Sequence, residues 1–367
     1  MKTGKFNHEK YISELATMKL PNQKKIVGGM FGLELLHQGP DSEIGLDAPF
    51  LSSPKLLLAT ARSAFNLLAR VLKPKTVWLP SYLCASVIAS FPPDIEIRFY
   101  SINESLRIAE KKWLSEIQEN DIVVFIDYFG FNYWLEWGQE ARQRGAWVIE
   151  DACQAMLNRE FCQCSHYVLF SPRKFVGVPD GGILLAQNGA KLPDEMIPAA
   201  PARWWLEALR ASILRAEYDW HGGERTWFDL FQKTEAEGPS NPCKMSELSL
   251  MILKEVVDWQ EVSIRRRNNY KLLASELEEI AIFPDLTEDA VPLGFPIVVK
   301  DRDRIRQALF TEEIFPPIHW PIASFVPCDF EDSHRLAGNI MTIPCDQRYN
   351  RSDMERVINI LRREAGI

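Results

Sequence analysis

From residue 60 to residue 171 short apolar runs alternate with longer segments whose apolar residues recur at helical spacing. TARSAFNLLARVL (60–72) places Ala64, Leu67, Leu68 and Val71 on one face, and Thr60 stands where an N-cap belongs. TVWLP reads as a strand stopped by Pro80, LCASVIASF as a helical piece, and IEIRFY (95–100) as a β-branched and aromatic strand. KKWLSEIQEN is helical, DIVVFIDYFG is a buried strand ending at Asp127, and LEWGQEARQRG is a helix closed by Gly145. AWVIED and SHYVLFS follow as two more strands. Strands this short, separated by helices of about ten residues, predict a mostly parallel sheet covered by helices on both faces.

The flanking regions read differently. Residues 1–50 form an N-terminal arm with no core of its own, although Ile26, Val27, Met30, Phe31, Leu33, Leu35 and Leu36 are too apolar to lie in water. ARWWLEALRASILRAEYDW predicts an amphipathic helix, and GGERTWFDLFQKTEAEGPSNP an excursion closed by Pro242. A single long helix is expected from Met245 to about Ile280. FPIVVK and MTIP then alternate as strands with the helices RDRIRQALF and SDMERVINILRRE. The expected organisation is an arm (1–50), a large α/β domain (51–240) and a smaller C-terminal α+β domain (241–367).

In parallel sheets ligands collect beyond the carboxyl ends of the strands. Those ends carry Pro80-Ser81-Tyr82, Asp127-Tyr128, Asp151, and Ser171 followed by Lys174. Composition narrows the partners. The 367 residues are 46% hydrophobic with a net charge of -8, which argues against a general nucleic-acid binder. No apolar run approaches the length of a membrane span, and the N-terminus lacks a signal-peptide core, so a cytoplasmic protein is expected. Seven cysteines without framework spacing read as reduced, buried thiols. Cys162-x-Cys164 has no companion cluster to complete a zinc site, and no metal is expected.

An acid at one strand end and a serine and lysine after the next match the demands of pyridoxal phosphate. That cofactor needs a lysine for its aldehyde, a carboxylate to keep its pyridine nitrogen protonated, donors for its phosphate and cover for its ring. Lys174 and Asp151 meet the first two demands. The first-turn amides of Arg62 and Ser63, at the start of the 60–72 helix, would face the phosphate, with the Ser171 hydroxyl beside them. Gln154 lies in reach of the phenolic oxygen, and Tyr82 is placed to cover the ring. Taken singly, each has an ordinary structural reading as cap, turn or solvated charge; the combination points to the cofactor.

VIEDACQA and FSPRKFVGVPDGGILL together resemble the core of the DegT/DnrJ/StrS family of sugar aminotransferases, of fold type I, in a divergent branch. TARSAF matches the family's SGT-x-AL phosphate motif and Pro80-Ser81-Tyr82 its proline-led loop. The resemblance runs from about Gly28 to the C-terminus. It implies that Asp151 pairs with the pyridine nitrogen, Gln154 with the phenolic oxygen, and that Lys174 is the covalent attachment point. The chain departs from the pattern in having Ser171 and Lys174 two residues closer than usual, VPDGG for GEGG, Ala61 for the motif's glycine, and Cys84 where many members stack an aromatic. PIHWP and IPCDQRY resemble a branch met in surface-polysaccharide biosynthesis.

The expected activity is amino transfer from glutamate or a similar donor to a nucleotide-linked keto-sugar, with His319, Trp320 and Arg348 as substrate contacts and a homodimer as the assembly. A dehydratase on the same cofactor is disfavoured by the retained Lys174. A non-catalytic regulator is disfavoured by Asp151 and Lys174 together.

Overall fold

The computed structural model describes residues 24–34, 49–51, 54–158 and 161–367. The arm residues Leu35 and Leu36 lie outside the described residues. The strands, in chain order, are β1 (Val27–Gly28), β2 (Lys55–Leu58), β3 (Thr76–Pro80), β4 (Glu96–Tyr100), β5 (Ile122–Ile126), β6 (Trp147–Asp151), β7 (Tyr167–Phe170), β8 (Gly182–Ala186), β9 (Phe295–Val298), β10 (Ile314–Phe315) and β11 (Ile340–Ile343).

A seven-stranded sheet has the order β2-β8-β7-β6-β5-β3-β4. β4, β3, β5, β6 and β7 run parallel, while β8 is antiparallel to both β7 and β2. Every residue of β3, β5, β7 and β8 is buried, which is why these strands read as continuous apolar runs instead of alternating ones. Asp151 ends β6 in the middle of the sheet, opposite Ile126 on one side and Leu169 on the other. The helix Ala61–Leu72 starts on Thr60 as expected: the Thr60 hydroxyl accepts from the Ser63 amide at 3.3 Å.

Four segments differ from the sequence reading, the first being KKWLSEIQEN, which forms only the short 3-10 helix Lys112–Glu116. LCASVIASF yields only the single turn Ala85–Ile88. The excursion after Gly223 contains a helix, Thr226–Ala236, which buries Trp227 and takes a hydrogen bond from Trp204 Nε1 to the Thr234 carbonyl at 2.9 Å. The long helix expected from Met245 splits into Glu247–Glu255 and Trp259–Glu276. Asp258 makes the break by capping the second helix, its carboxylate accepting from the Glu261 amide at 2.9 Å.

β9 and β11 pair antiparallel in the C-terminal region, where the helices Trp259–Glu276 and Arg351–Ala365 pack together. Arg266 ties this region to the lysine loop. Fully buried, it donates to the carbonyls of Phe175 (3.1 Å), Pro292 (3.1 Å) and Leu293 (3.0 Å) and to Gln347 Oε1 (2.9 Å). The arm also docks on its own chain. β1 pairs with β10, the Gly28 amide donates to Tyr349 Oη at 2.7 Å, and Lys25 meets Asp353 at 2.7 Å. Ile26 and Val27 are buried by these contacts, so this part of the arm needs no second subunit to cover it.

Candidate active site

The carboxyl ends of β6 and β7 and the start of the Ala61–Leu72 helix open onto one cavity of about 340 Å³. Asp151, Gln154, Ser171, Lys174 and Arg62 line it from the large sheet, and His319 and Trp320 from the C-terminal region. Seven of the ten residues singled out in the sequence therefore line this one cavity.

Asp151 is 6% exposed. One of its oxygens accepts from the Cys153 amide at 3.0 Å, and the other has no hydrogen bond among the described residues. The Lys174 ammonium has neither hydrogen bond nor ion pair among them. Both charges act on the Cys153 thiol between them: burial first and Asp151 second push it well up, while Lys174 pulls the other way. Gln154 is fixed by accepting the Phe129 amide at 2.9 Å, and its Nε2 is buried with no partner. An orphaned buried donor costs about 1–3 kcal/mol. A ligand oxygen at this point would remove that cost.

Thr60, Ala61 and Arg62, at the start of the Ala61–Leu72 helix, also line the cavity. The first amides of a helix have no partner within it and attract anions. Gly182 lets this helix start approach the sheet: a Cβ there would lie 2.3 Å from the Thr60 carbonyl carbon and 2.4 Å from the Ala61 nitrogen. The second glycine of VPDGG is thus required by close packing. Its acid is structural too. Asp180 is buried and accepts from the Ser246 amide at 2.7 Å and the Ser246 hydroxyl at 2.6 Å, holding the next helix start.

Three expected residues do not line the cavity. The Ser63 amide is engaged by Thr60, and its hydroxyl meets Thr60 Oγ1 at 2.8 Å and the Asn241 carbonyl at 3.3 Å. Tyr82 is fully buried behind Trp320, ring centroids 5.6 Å apart, and so cannot cover a ligand from the front. Trp320 holds that frontage instead. Arg348 is bidentate to Asp346 (2.8 and 2.9 Å) and donates to the carbonyls of Met30 (3.0 Å) and Gly29 (3.2 Å), so its guanidinium anchors the arm.

His319 is held by Thr342, with Nδ1 2.8 Å from the hydroxyl. Burial, reinforced by the Lys174 charge, pushes its pKa down to about 3, so the imidazole is neutral at physiological pH. The sequence reading passed over Arg173 and Glu235, which also line the cavity and pair with each other. Arg173 adjoins Lys174 in FSPRK, but nothing in the sequence distinguished it from a solvated charge. Glu235 lies on the helix that was read as an excursion. Of the cysteines, Cys328 is exposed, against the expectation of buried thiols. No group of three or more His, Cys, Asp or Glu is arranged to hold a metal among the described residues. No helix among them is long and apolar enough to cross a membrane.

A parallel sheet with an acid and a lysine converging at its strand ends defines a candidate cofactor enzyme, and the comparisons with known proteins agree. The family model of the DegT/DnrJ/EryC1/StrS aminotransferases matches residues 104–362, and the chain belongs to that family. Solved structures show the same fold at low identity. DesV of S. venezuelae, in complex with a ketimine intermediate, is 16% identical with a TM-score of 0.63, covering 87% of this chain and 86% of that one. NtdA of Bacillus subtilis, with bound cofactor PMP, is 16% identical with a TM-score of 0.64, covering 87% and 74%. The sugar aminotransferase CalS13 of Micromonospora echinospora is 15% identical with a TM-score of 0.58, covering 91% and 100%. A search of curated protein sequences finds no match. The protein is a pyridoxal 5′-phosphate-dependent aminotransferase of fold type I. The unpartnered Gln154 Nε2, the free Asp151 oxygen and the helix start packed on Gly182 fit that cofactor.

Proposed function

We propose that the protein transfers an amino group from glutamate or a similar donor to a keto-sugar carried on a nucleotide, as a step in building a surface polysaccharide. The observation that carries the site is the convergence of Lys174, Asp151 and Gln154 on one cavity that the start of the Ala61–Leu72 helix also lines. The sugar class is supported by the motifs of the family and by the sugar aminotransferase among the structural neighbours.

Pyridoxal phosphate, when bound, supplies an aldehyde for the amino group and a ring that draws electrons from the reacting carbon. In this reading Lys174 Nζ is the attachment point and, once released, the base that takes and returns the proton. Asp151 holds a proton on the pyridine nitrogen. Gln154 Nε2 donates to the phenolic oxygen and so orients the ring. Ser171 and the first amides of the Ala61–Leu72 helix hold the phosphate. His319, neutral and fixed by Thr342, offers Nε2 to the substrate, and Trp320 excludes water from the mouth. A panel of keto-sugar nucleotides incubated with glutamate and read by mass tests the assignment. Gain of an amine on one of them supports it, and no product from any of them with glutamate or other common donors contradicts it.

A homodimer belongs to the same proposal and rests on the family resemblance, since Ile26 and Val27 of the arm are covered by their own chain. Light scattering should give about twice 42.2 kDa. A fully active particle of single mass refutes it.

A further inference from the structure

Arg62 and Arg173 meet where the family pattern is most altered. Arg62 takes the threonine position of the SGT motif, next to Ala61 in the glycine position, and Arg173 lies in the shortened stretch between Ser171 and Lys174. Both line the cavity at the helix start, and both converge on one carboxylate. Arg173 ion-pairs with Glu235; Arg62 Nη2 is 3.7 Å from Glu235 Oε2, and its Nη1 donates to the Glu235 carbonyl at 3.3 Å. Two cations thus face one anion. Asp180 also attracts Arg173, but its oxygens are engaged by Ser246 and Ser249.

We propose that Arg62 and Arg173 form a two-guanidinium clamp for the phosphate of the cofactor, and that Glu235 occupies the clamp until the phosphate arrives. The inference rests on the site assigned above and adds the residues that supply its charge.

Three physical points support it. Two guanidiniums held beside one carboxylate, each half-buried, repel one another unless further anions balance them. Burial lowers the pKa of both, and the Arg62 charge helps bring Arg173 down to about 10 against the pull of Asp180, while Glu235 is the one carboxylate in ion-pair reach of either among the described residues. A phosphate dianion matches two positive charges, and its three free oxygens suit planar guanidinium forks better than one carboxylate does. Glu235 sits in the last turn of the Thr226–Ala236 helix with 36% of its side chain exposed, so it can swing out to water without unfolding the helix. The arrangement also explains how the site tolerates Ala61. Where the motif lets the backbone approach the phosphate through a glycine, this chain reaches it with side chains.

The test uses the full chain freed of cofactor, titrated with pyridoxal phosphate, with pyridoxal, which lacks the phosphate, and with inorganic phosphate. Arg62→Gln and Arg173→Gln are each expected to weaken pyridoxal phosphate about 10- to 100-fold, as for loss of a charged hydrogen bond, and to leave pyridoxal unchanged. Glu235→Gln should tighten both pyridoxal phosphate and inorganic phosphate several-fold. Should Arg173→Gln fail to fold, Arg173→Lys keeps the charge without the fork and should lose less, in the same direction. Arginine variants that keep the wild-type preference for pyridoxal phosphate over pyridoxal overturn the clamp. So do variants that lose only affinity for nucleotide sugars, because the arginines would then serve the substrate. Weaker phosphate binding in Glu235→Gln overturns the role of Glu235. A wild-type chain that binds no pyridoxal phosphate removes the underlying site assignment itself, a result distinct from all of these.

Discussion

Glu150 and Asp151 are consecutive acids at the end of β6, and the pleat turns them to opposite faces of the sheet. Glu150 faces the covered side. It accepts from the Cys162 amide at 3.0 Å and from Ser165 Oγ at 2.9 Å, and it stands against Asp127, which accepts from Trp134 Nε1 at 2.7 Å. Burial raises Glu150 to about 7, and burial reinforced by the Glu150 charge raises Asp127 well above the carboxylate range. Burial thus favours the neutral form of both carboxyls where an exposed pair would be charged. Asp151 faces the cavity with one oxygen free. Nothing in the chemistry of the two side chains differs enough to separate these jobs; the face each looks onto does. Substitutions on the cavity side should impair chemistry and leave folding alone, and substitutions behind the sheet should do the reverse.

The largest effect expected is at Lys174. Lys174→Ala should lose amino transfer almost completely and show no covalent cofactor absorbance, while its melting temperature stays within a few degrees of wild type. Measurable steady-state turnover in that variant would place the chemistry elsewhere.

Asp151→Asn comes next. An amide cannot keep the ring nitrogen protonated, so the rate should fall by about a thousandfold, equivalent to about 4 kcal/mol in the barrier. Near-normal turnover in a kinetic assay would remove Asp151 from the site and erase the contrast with Glu150.

Behind the sheet, Glu150→Gln should keep turnover within about threefold and change how stability depends on pH. The folded pKa of Glu150 is raised, so the native state holds a proton that the unfolded chain releases. The stability associated with that proton is fully present below about 4.5 and is lost as pH rises toward 7. Denaturant midpoints across that range should slope downward in wild type, by a few kcal/mol in total, and lie flatter in the variant. Parallel slopes would mean that Glu150 does not take up a proton on folding.

The smallest effect in free energy is expected at His319. His319→Asn should lower kcat/KM about tenfold through lost positioning, about 1.4 kcal/mol. Because its pKa lies near 3, His319 should add no inflection to the rate profile between pH 5 and 8. An inflection there that vanishes in His319→Asn would show a charged imidazole at work.

The strand rhythm of residues 60–171 was legible because buried parallel strands are uninterrupted apolar runs. For the same reason Asp151, Ser171 and Lys174 stood out as polar residues at the ends of such runs. Orientation after a turn was not legible. Tyr82 follows β3 as a ring-covering residue should, yet it turns inward behind Trp320, a residue 238 positions later in the chain (320 − 82). Arg348 resembled a substrate contact because its partner, Asp346, and the arm carbonyls it binds are revealed only by folding. The break at Asp258 is a capping event within an otherwise helical pattern, and Glu235 became visible only once its helix was placed against the cavity.

The central claim is that Lys174 carries the cofactor in a site built with Asp151. The protein as purified, loaded with pyridoxal phosphate, should be treated with borohydride to fix the bond between lysine and cofactor, then digested and mapped by mass spectrometry. The account predicts a single phosphopyridoxyl group on Lys174, absent from Lys174→Ala and displaced by prior incubation with glutamate. A label on another lysine, or a protein that binds the cofactor without forming any bond to Lys174, contradicts it.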